Sequence, residues 1–305
     1  MPFITRNAQN LSPVDALSLG RLTPWGIMLA VGLLLATDLS HAAQPVNRVV
    51  WRDIPAGVVT LGNDDGRPEE RPAHQLRLPA LRMMLTEGTV AQYRSCMKAG
   101  ACTTPRGYSS VSPESRRLNW GADGRDDHPI NGISWTQAKA FCEWAGGRLP
   151  TESEWVRGAR QRDQRLYPWG DGPPAARSPV LANIADVSAA KENPSWKVVK
   201  GYDDGFVGTA PVASFAMGRS ASGLLDMAGN VWEWTADRFD PEGYRRPRRA
   251  GVPNLRTVRG GAFNSPAARV TTQSRRGVGP KSASDDVGVR CVAQPQDSLK
   301  KVDAR

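Results

Sequence analysis

Two short stretches of this chain are rich in hard oxygen. The first is residues 222–234, Ser-Gly-Leu-Leu-Asp-Met-Ala-Gly-Asn-Val-Trp-Glu-Trp. Asp226 and Glu233 supply carboxylates, and Gly223 and Gly229 free the backbone for tight turns. Gly229 and Asn230 bend the chain between the two acids, so backbone carbonyls near the bend can turn toward one point. Oxygens gathered by a turn are the ligand type that a calcium ion takes. The competing reading is a buried aromatic turn, with Trp232 and Trp234 in the core and Glu233 capping a backbone group. The second stretch is split: Ala182-Asn183-Ile184, then Asp203-Asp204-Gly205-Phe206. Its Asn and Asp side chains are again hard ligands, but such residues occur in any loop.

Other chemistries find little footing. Only His41, His74 and His128 carry imidazoles, and no His pair or two-His-one-carboxylate spacing exists for iron. No Gly-x-Ser-x-Gly elbow or phosphate loop is present, and no Ser or Thr has an evident His base. Glu152 and Glu154 resemble an acid/base pair, yet Thr151 and Glu154 stand at capping-box spacing. Glu154 reads as the cap and Glu152 as a favourable first-turn charge. Four cysteines, Cys96, Cys102, Cys142 and Cys291, allow three pairings. An even count in an exported chain argues for disulfides, and proximity favours Cys96–Cys102.

The elements that must position these groups are short. Residues 49–51, 58–61 and 75–78 read as strands, with a turn at Asn63-Asp64-Asp65-Gly66. Val90, Tyr93 and Met97 share one face of a helix over 89–99, ended by Gly100. Ser134 and Gln137 cap a helix over 134–145 that turns Ala138, Phe141, Cys142 and Ala145 to one side. Residues 104–128 read as a surface loop and 161–222 as loop-rich. Thirty Gly and 24 Pro among 305 residues fit a fold with much turn, and ten Trp fit an aromatic core. No repeat or low-complexity linker divides the chain, so residues 43–293 read as one domain, followed by a frayed tail at 294–305.

Residues 26–36 form an apolar run too short for a comfortable membrane span. Arg6 and Arg21 precede it and Ser40-His41-Ala42 follows, which reads as a secretory signal over residues 1–42, cut after Ala42. An uncleaved anchor is the alternative. The implied location is the periplasm, with no stable membrane span once the leader is removed. Net charge is +10, which suits solubility or an acidic partner. No nucleic-acid motif accompanies it, so nucleic-acid binding is not expected.

Gly-Asn-Val-Trp-Glu-Trp-Thr, Arg-Gly-Gly-Ala-Phe at 259–263 and Gly-Val-Arg-Cys at 288–291 together resemble the formylglycine-generating enzyme, or sulfatase-modifying factor, family. Arg148-Leu-Pro-Thr-Glu-Ser-Glu-Trp155 and Tyr167-Pro-Trp-Gly-Asp171 match two further blocks in order. The resemblance implies an α+β fold of C-type-lectin-like type, low in regular structure, and a Cys142–Cys291 disulfide. It implies structural Ca2+ at two places. The first would use the Asn183 and Asp204 side chains with the Ile184 and Phe206 carbonyls. The second would use the Asp226 and Glu233 side chains with the Gly229 and Val231 carbonyls.

The family's oxidative chemistry needs two copper-binding cysteines between the Arg-Gly-Gly and final Gly-Phe-Arg blocks, where soft thiolates suit copper(I). Here residues 262–287 contain no cysteine, so no copper centre is expected. Two readings follow. One is a non-catalytic binding or regulatory factor, similar to a periplasmic accessory of type VI secretion that acts upstream of a membrane threonine kinase. Its partner, a periplasmic or membrane protein, would sit in a groove lined by Trp232, Arg269, Arg275 and Arg276. The other is a periplasmic oxidoreductase of the pyoverdine-maturation type, which also lacks the cysteine pair.

Overall fold

The computed structural model describes residues 48–109, 117–176, 179–244 and 254–296. The expected leader over 1–42 lies outside these residues, as does 297–305 of the expected tail.

Apolar alternation at the start of the domain makes four strands, β1 (Trp51–Ile54), β2 (Gly57–Leu61), β3 (His74–Leu78) and β4 (Leu81–Met84). β2 and β3 form a two-stranded ribbon. β4 lies between β1 and the late strand β9 (Val292–Ala293), so the two ends of the domain share one sheet. A second sheet has the order β7-β6-β5-β8, from β5 (Trp232–Arg238), β6 (Arg256–Arg259), β7 (Arg275–Val278) and β8 (Val287–Gly288). Its strands are antiparallel except for β5 and β8.

α1 (Val90–Lys98), α2 (Trp135–Trp144) and α3 (Glu152–Arg160) open on the capping boxes Thr89/Gln92, Ser134/Gln137 and Thr151/Glu154. α2 and α3 begin where their caps predict, and α1 shows a cap of the same kind. Each box satisfies two backbone donors that a helix start leaves free. α4 (Val187–Glu192), capped by Asp186, lies within the stretch read from sequence as loop. Its single short turn carries too little apolar periodicity to register.

Burial follows the helix faces. Tyr93, Phe141 and Cys142 are fully buried beside Trp232 and Trp234 in one cluster. Trp155 and Ala159 of α3 pack with Leu81, Met83 and Leu224 in another. Both disulfides form as expected: Cys96–Cys102 closes the exit of α1, and Cys142–Cys291 ties α2 to the segment before β9. A bridge across 149 residues removes much unfolded-chain freedom, worth about 4–5 kcal/mol in the chain-entropy picture. Among the described residues, no helix is long and apolar enough to cross a membrane.

Candidate functional site

The structure joins the two oxygen-rich stretches. Asn230 N–H donates to the Asn183 carbonyl at 2.8 Å, and Asn183 Nδ2 reaches Asn230 Oδ1 at 3.3 Å. Gly229 must be glycine, because a Cβ there would lie 2.0 Å from the Asn183 carbonyl oxygen. Its φ is +82°, and Asp226 and Asn230, both with φ +56°, also hold the left-handed conformation. Non-glycine residues held in this region mark a backbone set by its surroundings.

At the first stretch Asp204 is buried. Its Oδ2 accepts the Ile184 N–H at 2.8 Å and its Oδ1 the Phe206 N–H at 2.9 Å. The carboxylate of Asp186 is also buried and accepts the N–H groups of Ala189 and Asp204. Among the described residues no ion pair compensates Asp204, and burial pushes its pKa up to about 7. The Asn183 Oδ1 is buried without a hydrogen-bond partner, which is unusual for a polar atom inside a protein. An unsatisfied amide oxygen beside an uncompensated carboxylate is a donor set that fits a hard cation.

The second stretch holds its acids among other side chains. Glu233 is fully buried, and its oxygens are already taken. Arg290 Nε lies 3.0 Å from both, Arg290 Nη2 donates to Oε1 at 2.8 Å, and Trp155 Nε1 donates to Oε2 at 2.6 Å. Glu233 therefore serves as the counter-charge of Arg290. Asp226 accepts the Ala213 N–H at 2.6 Å. Beside it lies Glu87, fully buried, whose two oxygens meet no N–H or O–H donor. The group within hydrogen-bonding reach of Glu87 is itself a carboxylate, Asp226. Burial first, then the Asp226 charge, pushes the Glu87 carboxyl well above its usual range.

The four residues expected to line a groove do not converge. Trp232 is buried, with the Arg276 guanidinium 4.8 Å above its ring. Arg276 is itself held by Asp286, at 2.7 Å and 3.1 Å. Burial works against the Asp286 charge, but Arg276 keeps its carboxyl below the usual range. Arg269 instead faces Glu69 at 3.6 Å. Arg275 is 2% exposed and lies inside the molecule against Glu152 at 2.5 Å. The three arginines thus serve three different carboxylates, and only Trp232 and Arg276 come together.

Glu154 caps α3 as read, accepting the Thr151 N–H at 2.8 Å, and also holds Arg148 by both oxygens. Glu152 does more than meet a helix dipole. It is buried between Arg259 and Arg275, and accepts further hydrogen bonds from Thr257 and Tyr244. Burial opposes its charge, yet the two guanidinium groups hold its pKa below the ordinary value. Sequence reasoning gave no role to Glu87, Asp186, Asp286 or Arg290. Arg290 stood within a quoted motif, Gly-Val-Arg-Cys, but a single arginine does not name its carboxylate.

The chain matches the sulfatase-modifying factor enzyme 1-like domain over residues 36–295. It is 30% identical over 320 residues to the inactive C-alpha-formylglycine-generating enzyme 2 of Mus musculus, covering 92% of this chain and 97% of that one. The formylglycine-generating enzyme of Streptomyces coelicolor is 31% identical over 302 residues, 84% of this chain and 93% of its own. Among solved structures, PvdO from Pseudomonas aeruginosa superposes with a TM-score of 0.59 over 83% of this chain and 100% of its own, at 22% identity, a likeness of fold. By its domain match and by these relatives, the chain belongs to the formylglycine-generating enzyme family.

Proposed function

We propose that this chain is an exported, non-catalytic member of its family that acts in the periplasm as a binding and regulatory factor, upstream of a threonine kinase in type VI secretion. One observation carries the reading: all four cysteines are joined in two disulfides far from residues 262–287 in sequence or locked to the core, so no thiolate pair is available to hold copper(I). Arg276, partly exposed over the buried Trp232 and held by the buried Asp286, leaves a fixed guanidinium edge that suits a polar partner segment. The similarity to a relative named as inactive supports the same direction.

A structural Ca2+ belongs to this proposal. Asn183 and Asp204, with the carbonyls of Ile184 and Phe206, would hold it, and the unsatisfied Asn183 Oδ1 supports the fit. The ion would supply the missing positive charge. The chain's own residues do the rest: Asp204 fixes the 184 and 206 backbones, and Asn183 links that loop to the 226–233 turn.

The competing oxidoreductase reading needs an acid in an aromatic pocket. Glu233, the acid nearest the tryptophans in sequence, is fully engaged by Arg290 and Trp155. The test is a pair of measurements. Deleting the gene should lower threonine phosphorylation by the secretion-system kinase, and complementation should restore it. Purified protein should consume no oxygen with dihydropyoverdine; sustained uptake would overturn the binding-protein reading.

A further inference from the structure

One cavity takes no part in the chemistry above. It opens between the turn at 63–71 and the segment 268–273, holds about 510 Å³, and is lined by Leu166, Tyr167, Ala268, Arg67 and Arg71 among others. That volume suits a small molecule, and an apolar wall with a few charged groups is the usual makeup of such sites. The walls are fixed by their own hydrogen bonds. In the turn, the Asn63 N–H donates to the Glu70 carbonyl at 2.9 Å and the Arg67 N–H to Glu70 Oε2 at 3.0 Å. Opposite in sequence, Leu166 donates its N–H to Asp171 Oδ1 at 2.9 Å and accepts the Thr272 N–H at 2.8 Å, yet the residue stays 38% exposed. With the buried Tyr167 it gives the cavity apolar surface for a ligand to cover.

The two guanidinium groups are held but not neutralised. Arg67 Nη2 donates to the Ala268 carbonyl at 3.3 Å, and Arg71 Nε to the Gly66 carbonyl at 2.7 Å. Glu70 is the acid beside Arg67, at 3.8 Å, but its Oε2 is spent on the Arg67 N–H. Among the described residues Arg71 forms no ion pair. We infer that this cavity binds a small organic monocarboxylate, with its apolar body against Leu166 and Tyr167 and its carboxylate on Arg67 and Arg71. Guanidinium groups already fixed by a carbonyl give up less freedom when they form charge-assisted bonds to a carboxylate. Asp65 and Glu70 stand in the same lining and oppose a second negative charge, so a carboxylate fits better than a phosphate dianion.

Ligand-observed NMR titration of the full chain tests the site, with benzoate, benzamide and phenyl phosphate as probes. Benzoate should bind saturably, and benzamide, alike in shape but uncharged, at least about tenfold more weakly. Arg71→Gln, at an exposed side chain, should weaken benzoate by a similar factor. Asp65→Asn, also exposed, removes the opposing charge and should tighten benzoate about threefold. No saturable benzoate binding, equal affinity for benzamide, or an affinity unmoved by Arg71→Gln would overturn the site. Phenyl phosphate binding more tightly than benzoate would overturn the choice of a carboxylate. If Arg71→Gln does not fold, Asp65→Asn decides: weaker benzoate binding in that variant would overturn the site. The titration needs no protein partner, so its failure leaves the regulatory reading intact, and the failure of that reading leaves the cavity's affinity intact.

Discussion

Two buried networks meet at strands β5 and β6 and treat charge in opposite ways. Glu233 and Arg259 stand opposite each other in register, yet each takes a different partner. Arg259 joins Arg275 around Glu152, where one carboxylate receives five hydrogen bonds from Arg259, Arg275, Thr257 and Tyr244. Glu233 joins Arg290, where one guanidinium faces three carboxylates. The first network has cation to spare and leaves no oxygen of Glu152 open. The second has a deficit and leaves Glu87 without a donor. Burial alone does not distinguish a structural acid from a ligand; saturation does. A carboxylate whose oxygens are all occupied holds the fold, and one whose oxygens face another acid is relieved only by a proton or a cation.

The comparison breaks most visibly at its arginines. Arg290→Gln removes the cation from three buried carboxylates and should cost about 4–5 kcal/mol in urea unfolding, or prevent folding. Arg259→Gln leaves Arg275 on Glu152 and should cost less, about 2–3 kcal/mol. Equal losses would mean that the two networks are not unequal in charge after all.

The acids sharpen it by sign. Glu152→Gln strands two buried guanidinium groups and should destabilise by about 3 kcal/mol. Glu87→Gln, measured in excess chelator, takes one carboxyl out of an overcrowded cluster and should be neutral or stabilising. A loss for Glu87→Gln as large as that for Glu152→Gln would show that Glu87 has a protein partner after all.

Chelation should act next in size. An ion bound only by the folded chain adds about 2.7 kcal/mol at a hundredfold excess over its Kd, so excess chelator should lower the melting temperature. Asp204→Ala should reproduce much of that drop. An unchanged melt in chelator would remove calcium from both oxygen-rich stretches.

The sequence disclosed the fold further than the site. Capping boxes at Ser134 and Thr151 carry their own local chemistry, so two helix starts are legible at the residue, whereas α1 is legible only by its apolar face. The Cys142–Cys291 bridge followed from the family resemblance, since cysteine spacing alone leaves the pairing open. α4 was missed because Asp186 reads equally well as a loop residue. The groove failed for a different reason. Arg269, Arg275 and Arg276 lie close in sequence, but alternation along β7 and the turn before it sends them to Glu69, Glu152 and Asp286. The motif around Glu233 carries no sign of its long-range contact with Arg290. Such pairings span 57 residues or more and leave no local mark.

His128 shows a third way to keep charge in balance, by leaving a base neutral. Thr209 Oγ1 donates to Asn119 Oδ1 at 3.0 Å, so His128 Nδ1, at 2.9 Å from the same hydroxyl, must be the donor in that bond. Arg125 Nη1 lies 3.0 Å from Nδ1 and 3.2 Å from Nε2, and with Nδ1 carrying the proton it is Nε2 that accepts from it. Burial, then the Arg125 charge, lowers the His128 pKa to about 4. A histidine that resists protonation when folded, but takes a proton near pH 6.5 when unfolded, favours the folded state above that pH and weakens it below. Its contribution is whole above about pH 6.5 and falls as pH drops toward 4, losing about 1 kcal/mol between pH 6.5 and 5.5. His128→Gln should remove that slope. The measurement is the difference in unfolding free energy between the two proteins across pH 5–8. A parallel dependence would mean that the imidazole carries its proton inside the fold, and that Arg125 is balanced by an acid instead.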